Sequence, residues 1–181
     1  SVHLQFGTPS PIAKETAEMW DEAMRRHSIL DKLRELEEQY GMRVLFAVEG
    51  GSRANGLATP NSDHDVRFVF AHSTDWYLVV NEEQKDEIRF SCSIGKEETQ
   101  GKTVEFDFLG WELRKTLRLL RRSNPPLIEW LHVAPEYIYF ERKDIADQLR
   151  DLAMRYFTPA TLAFHYRDTA KQNYSEDRPQ L

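Results

Sequence analysis

The spacing of hydrophobic positions along this chain changes several times, and each change marks a boundary between elements. Between Ser10-Pro11 and Gly41, the residues Trp20, Ala23, His27, Leu30, Leu33 and Tyr40 recur at an irregular helical period. This predicts a packing helix opened by the proline and closed by the glycine. Two apolar runs follow, and residues 43–49 and 66–70 read as strands. A strand is also predicted at 77–80, a charged link at 81–87, a strand at 88–93 and a turn at 96–101. Residues 103–108 alternate polar and apolar as a last strand before a helix over 112–122. Asn124-Pro125-Pro126 caps and redirects that helix, because proline cannot continue one. Trp130 and Leu131 then read as core, residues 144–174 as entirely helical, and 175–181 as a polar, disordered tail.

These elements predict one mixed α+β unit. Residues 1–143 form the main domain with its amino-terminal packing helix, and 144–181 form a helical extension packed on the same domain. A length of 181 residues with 40% hydrophobic content suits a single domain with a substantial core. No apolar run approaches ~20 residues and no charged-then-apolar leader opens the chain, so neither a membrane span nor a secretory signal is expected. The cytoplasm is the expected location. Cys92 is the single cysteine, which excludes an internal disulfide and any multi-cysteine zinc site. A net charge of −6 argues against coating duplex nucleic acid by bulk electrostatics, so any nucleic-acid site must be local.

The chemistry concentrates in two stretches at the ends of the first two strands. Val48-Glu49-Gly50-Gly51-Ser52-Arg53-Ala54-Asn55-Gly56 leads to Ser62-Asp63-His64-Asp65-Val66-Arg67-Phe68. A Gly-Gly-Ser turn lets backbone N–H groups approach a polyphosphate with no Cβ in the way, and Ser52 adds a hydroxyl donor. Alternation on the second strand puts Asp63, Asp65 and Arg67 on one face and turns His64 away. Two carboxylates so spaced can converge on a Mg²⁺ ion, which takes oxygen ligands at roughly 2.1 Å. Together the two stretches imply Mg-nucleotide chemistry, although a lone Gly-Gly-Ser turn is usually a tight loop and a lone Asp-x-Asp a solvated strand end. His64, His72, His132 and His165 lack metal-ligand spacing and are assigned no role.

Gly51-Ser52 followed by Asp63-x-Asp65 resembles the signature of the DNA polymerase β-like nucleotidyltransferases. The resemblance is closest to the RNA ligase-associated branch, through Gly51 to Ala54, Gly56 and Ser62 to Phe68. A downstream segment carries it further, through Leu113 to Lys115, Leu117 to Leu120, Ser123 to Pro125 and Glu129 to Leu131. It covers roughly residues 42 to 175. Members of the branch usually continue past a helix like that from His165 to Tyr174 into a Lys-rich helical segment, so this chain reads as truncated or as a shorter member.

The resemblance implies a polymerase β-like fold, a mixed central sheet flanked by helices. It also implies a third carboxylate on an adjacent strand. Asp107 is favoured, and Glu105 on the same strand face is the alternative. The implied reaction is two-metal transfer of a nucleoside monophosphate from an NTP to a hydroxyl, with ions ~3.5–4 Å apart. Asp63, Asp65 and Asp107 would hold Mg²⁺, or Mn²⁺ in its place, and Gly51 and Ser52 the β- and γ-phosphates. Arg53 and Arg67 would neutralise phosphate charge, and the name of the branch makes an RNA end the leading acceptor. Two other readings stand beside it, an antitoxin-like transferase that places AMP on a protein hydroxyl and a lapsed nucleotide- or RNA-binding module. On the helix over 112–122, Arg114, Arg118, Arg121 and Arg122 share a face opposite Leu113, Leu117 and Leu120. Most of these arginines read as solvated or paired with acids, with steering of a triphosphate or RNA backbone as the functional alternative.

Overall fold

The computed structural model describes residues 11–57, 59, 62–80, 85–94, 104–161, 163, 164, 166 and 167. A long helix α1 (Pro11–Tyr40) stops at Gly41, whose φ of 58° takes the left-handed turn that ends many helices. Strand β1 (Met42–Glu49) leads through a single-turn helix α2 (Gly51–Ala54) to β2 (His64–His72), then to a short helix α3 (Thr74–Leu78). The edge strand β3 (Glu87–Ile94), β4 (Val104–Glu112), α4 (Leu113–Arg121) and α5 (Pro125–Leu131) follow. A 3₁₀ turn (Pro135–Tyr137), β5 (Ile138–Glu141) and α6 (Lys143–Tyr156) come last. The sheet order is β3-β4-β2-β1-β5, with β2 and β4 parallel and every other pair antiparallel. The fold is therefore α+β with a mixed five-stranded sheet between helices, as expected.

Each sheet face carries its own core, and strand alternation sorts the side chains between them. Val66, Phe68, Phe70, Phe106 and Phe108 pack toward Ile29, Leu33 and Leu36 of α1. On the other face, Leu45, Phe46, Val48 and Val69 meet Leu120, Leu127, Trp130, Leu131, Ala146, Leu149 and Ala153 of α4 to α6. Leu45 and Phe46 are neighbours in sequence yet share that face, because the β1–β2 register slips between Val44 and Phe46. Trp130 stacks on Trp111 with ring centroids 4.0 Å apart, and both Trp130 and Leu131 are core.

Several boundaries differ from the sequence expectation. The strand expected at 77–80 is instead the end of α3, at Tyr77 and Leu78, followed by non-helical Val79 and Val80. Tyr77 turns inward and donates its hydroxyl to Glu112 Oε1 at 2.6 Å, while Val80 is fully exposed and pairs with no strand. The helix expected from 112 starts one residue later, since Glu112 is its cap and accepts from the N–H groups of Arg114 and Lys115. On α4 the inward positions are Thr116 and Leu120, whereas Leu117 faces solvent. Asn124 accepts from Leu127 N–H at 3.1 Å and caps α5, as the Asn-Pro-Pro run predicts. The carboxyl-terminal helix is not continuous, because the chain leaves helical geometry at Phe157 and Thr158, ahead of Pro159. The turn at 96–101, most of the link at 81–87, the tail at 175–181, and His165 with residues 168–174 lie outside the described residues.

Candidate active site

The Gly-Gly turn is built against β2. Gly50 N–H donates to Asp65 C=O at 2.7 Å, and Gly51 takes φ of 57° at the start of α2. A Cβ placed on Gly51 would stand 1.9 Å from Asp65 Oδ2, so the carboxylate lies directly over the bare turn. Across the parallel pair, Asp65 is in register with Asp107 on β4. Both project to the face of α4 to α6, because their neighbours Val66, Phe106 and Phe108 pack into the α1 core.

The two carboxylates converge on one cation, the guanidinium of Arg67. Its Nη2 donates to Asp65 Oδ1, and its Nη1 donates to Asp107 Oδ2 and to Asp107 C=O, each at 3.0 Å. Ser91 Oγ donates to Asp107 Oδ1 at 3.3 Å from the edge strand, and Arg89 Nη2 stands 3.9 Å from Asp107 Oδ2. Burial pushes the Asp65 carboxyl above its usual range; Arg67 opposes this, while the charges of Glu49, Asp107 and Asp63 add to it. Among the described residues, no group of three or more His, Cys, Asp or Glu side chains is assembled as a metal site. The donor set nevertheless suits a hard cation, with two in-register carboxylates already turned toward a single positive charge and a Cβ-free turn beside them.

The remaining predicted residues lie close by in different roles. Asp63 is exposed just before β2, and its carbonyl accepts from Arg53 Nε at 3.2 Å. Arg53 does not point at the acidic pair. Its guanidinium binds Asp63 C=O and, at 2.6 Å, Ser62 C=O, and so fastens the loop between α2 and β2. Ser52 is half-buried in α2, and its carbonyl accepts from Leu57 N–H at 2.8 Å. Glu105 is exposed, takes a bond from Ser93 Oγ at 2.6 Å, and precedes the stretch where β4 pairs with β2. Arg114 lies over the rings of Trp76 and Tyr77, and Arg118 pairs with Asp86 at 3.0 Å, so this part of the basic stripe is engaged.

Sequence reasoning missed a buried acid. Glu49 is 3% exposed at the end of β1, where Oε1 accepts Asp65 N–H and Oε2 meets His64 Nδ1, both at 2.7 Å. Tyr139 of β5 donates its hydroxyl to the same Oε2. Burial alone would raise the Glu49 carboxyl, but the bonds from His64 and Tyr139, the His64 charge and the Asp65 N–H outweigh it and hold the group below its usual range. Burial, reinforced by Glu49, pushes the Tyr139 phenol far up, so it remains a donor. His64 turns away from Asp65 as alternation predicts and stacks on Phe106 at 5.1 Å. An acid ending an otherwise apolar strand beside Gly-Gly was the visible signal. Its partner Tyr139 comes from a four-residue strand that the pattern did not reveal.

The Bacillus subtilis (strain 168) protein YcgL, described as uncharacterized, is 39% identical over 151 residues, which cover 83% of this chain and 53% of that protein. The chain thus spans about half the length of that curated relative. Among the described residues, no helix is long and apolar enough to cross a membrane. Residues 24–179 match the family described as RlaP, and the chain belongs to this RNA repair pathway DNA polymerase beta family.

Proposed function

We propose that this chain is a Mg²⁺-dependent nucleotidyltransferase that moves a nucleoside monophosphate from an NTP to a hydroxyl, with an RNA end as acceptor. The observation that carries the reading is the in-register pair Asp65–Asp107, converging on one positive charge beside the Gly50-Gly51-Ser52 turn. Family membership supports transfer chemistry and the association with RNA repair.

Asp65 and Asp107 would hold the metal, with Asp63 at the mouth of the site. The bound ion supplies charge neutralisation at the α-phosphate and favours the ionised acceptor hydroxyl. The chain's own part is positioning. The backbone N–H groups of Gly51 and Ser52 and the Ser52 hydroxyl would receive the β- and γ-phosphates, while the bare Gly51 lets the Asp65 carboxylate sit against the turn. The acceptor oxygen attacks the α-phosphorus, the bond to the bridging oxygen breaks, and pyrophosphate leaves with that electron pair. The acceptor proton passes to a carboxylate of the pair. Arg67, which already neutralises both carboxylates, remains beside them to offset phosphate charge.

The test uses an NTP labelled at the α-phosphate with oligoribonucleotides ending in hydroxyl or phosphate, on the wild type and on Asp65→Asn, Asp107→Asn and Glu105→Gln. Label should move to a hydroxyl-ended strand only with Mg²⁺ or Mn²⁺. Both Asp variants should lose transfer by several powers of ten, while Glu105→Gln keeps it. A thermal-shift titration runs in parallel, since Mg·NTP at ~100 times its dissociation constant stabilises the fold by about 2.7 kcal/mol. Full transfer by Asp107→Asn would remove it from the site, and full transfer by Asp65→Asn would overturn the mechanism.

A further inference from the structure

On the sheet face opposite Asp65 and Asp107 lies a cavity of about 390 Å³, which is within the size range of small-ligand sites. It is closed on one side by α1 and on the other by the ends of β1 and β2, α2 and the segment leading into β5. Four nitrogen-bearing side chains line it: Arg25 and Arg26 from α1, Arg53 from α2 and His64 from β2. Arg26, Arg53 and His64 are held by hydrogen bonds within the protein. Arg26 donates to the carbonyls of Ile138 and Tyr139 and lies over the Tyr139 ring at 5.7 Å. Arg53 is fastened to Ser62 and Asp63 C=O. His64 is more than nine-tenths buried, and its Nδ1 is fixed by Glu49 Oε2.

Two features single this cavity out as a binding site. The buried His64 Nε2 has no hydrogen-bond partner among the described residues, an arrangement that proteins rarely leave in place without a use. The acid beneath it is already spent, because Glu49 accepts from Asp65 N–H, His64 and Tyr139. The other charged lining residues are Arg25, Glu22 and Glu136, and both of those acids are exposed. The groups held in fixed geometry are therefore nitrogens. Glu49 Oε2 takes the Nδ1 side of the ring, so Nε2 is the nitrogen left for a phosphoryl group.

We propose that this cavity binds a phosphomonoester, with its oxygens received by Arg26, Arg53 and His64 Nε2. Guanidinium carries donors on all three nitrogens in a fork that matches phosphate, so bonds to backbone carbonyls orient these arginines without exhausting them. The volume beyond the phosphate leaves room for an attached ribose. The ligand is a free nucleotide or the phosphorylated end of an RNA strand, and both present the same group. Among the described residues, Arg26, Arg53 and His64 make no hydrogen bond or ion pair with the Asp65 or Asp107 carboxylates, and the cavity meets that pair through Glu49, which lines it and accepts Asp65 N–H.

The experiment follows imidazole nitrogens by long-range ¹H–¹⁵N correlation on the full, ¹⁵N-labelled chain, with chelator present and no Mg²⁺. Four probes are titrated: inorganic phosphate, adenosine 5′-monophosphate, and a short oligoribonucleotide with and without a terminal phosphate. The His64 signals, assigned by their loss in His64→Gln, should shift and saturate with phosphate-bearing probes only. Arg26→Gln should weaken binding about tenfold, the size of one charge-assisted hydrogen bond, while Asp107→Asn should leave it unchanged. Arg26→Lys keeps the charge and should recover part of the loss. Response to phosphate and the mononucleotide assigns the cavity to free nucleotides; response to the phosphorylated strand alone assigns it to RNA ends. No His64 shift with any probe overturns the proposal, as does equal response to the unphosphorylated strand, or unaltered affinity in Arg26→Gln. Binding lost equally in Asp107→Asn also overturns it, because the signal would then come from the other face.

Discussion

A methyl group on Gly51 meets two obstacles together, since its Cβ would lie 1.9 Å from Asp65 Oδ2 and the residue holds φ at 57°. The left-handed backbone alone costs an alanine roughly 1–2 kcal/mol, and the contact forces Asp65 to move. Gly51→Ala should therefore lower the melting temperature by a few degrees and abolish any Mg·NTP-dependent thermal shift; a variant that kept the shift would show the turn to be no part of the site. Arg67 is the second decisive residue, because among the described residues its guanidinium bridges Asp65 and Asp107. Arg67→Met should destabilise the chain by roughly 1–3 kcal/mol at neutral pH in urea denaturation, leaving two close carboxylates without their shared cation. Mg²⁺ should then restore more stability to this variant than to the wild type, provided the pair is a metal site. At this scale the sequence was informative wherever the chemistry is local. Gly51, Asp65 and the turned-away His64 follow from adjacent positions, whereas alternation on β4 puts Glu105 and Asp107 on one face and does not choose between them. The partners of Arg53, the carbonyls of Ser62 and Asp63, were not legible, because they depend on the path of an irregular loop that no periodicity describes.

Between β4 and α4, one buried carboxylate joins three elements. Glu112 is 1% exposed, accepts from the N–H groups of Arg114 and Lys115 at the start of α4, and takes the Tyr77 hydroxyl from α3. The Tyr77 phenol is pushed up to about 12, by burial first and by Glu112 second, so it stays a donor throughout the physiological range. Removing the carboxylate strands two helix-end donors and a half-buried hydroxyl. Glu112→Ala should cost about 2–4 kcal/mol in urea denaturation, whereas Glu112→Gln, which keeps one acceptor oxygen, should cost less. Equal losses would mean that charge, not capping, sets the contribution. The same junction shows why element boundaries were only partly legible. The apolar letters at 77–80 read as a strand, but Tyr77 lies in α3 and its hydroxyl reaches Glu112, a long-range contact that periodicity does not show. Strand β5 was invisible for the opposite reason, since four residues are too few to show a period and their pairing with β1 is wholly non-local.

Across the whole molecule, the sheet separates two faces that meet chemically through Glu49. Its Oε1 holds the backbone of Asp65, whose side chain belongs to the acidic pair, while its Oε2 holds His64 and Tyr139 on the cavity side. A carboxylate this deeply buried is retained at a desolvation cost that only its hydrogen bonds offset, and its titration is therefore linked to folding. The sign follows from the depressed folded value. The unfolded chain binds the proton near the ordinary value of 4.5 and the folded chain only at lower pH, so the stabilisation is complete above 4.5. It fades as pH falls toward and through the lower folded value. Glu49→Gln keeps the shape, loses the charge-assisted bonds and should be less stable than the wild type by roughly 1–3 kcal/mol at pH 7. Urea denaturation of both proteins from pH 7 down to about pH 3 should show that gap closing below pH 4.5. A gap that stayed constant across the range would assign Glu49's contribution to packing. A closing gap would show that the ionised carboxylate ties the β1 and β2 ends together, and that the geometry of Asp65 depends on a group facing the other side of the sheet.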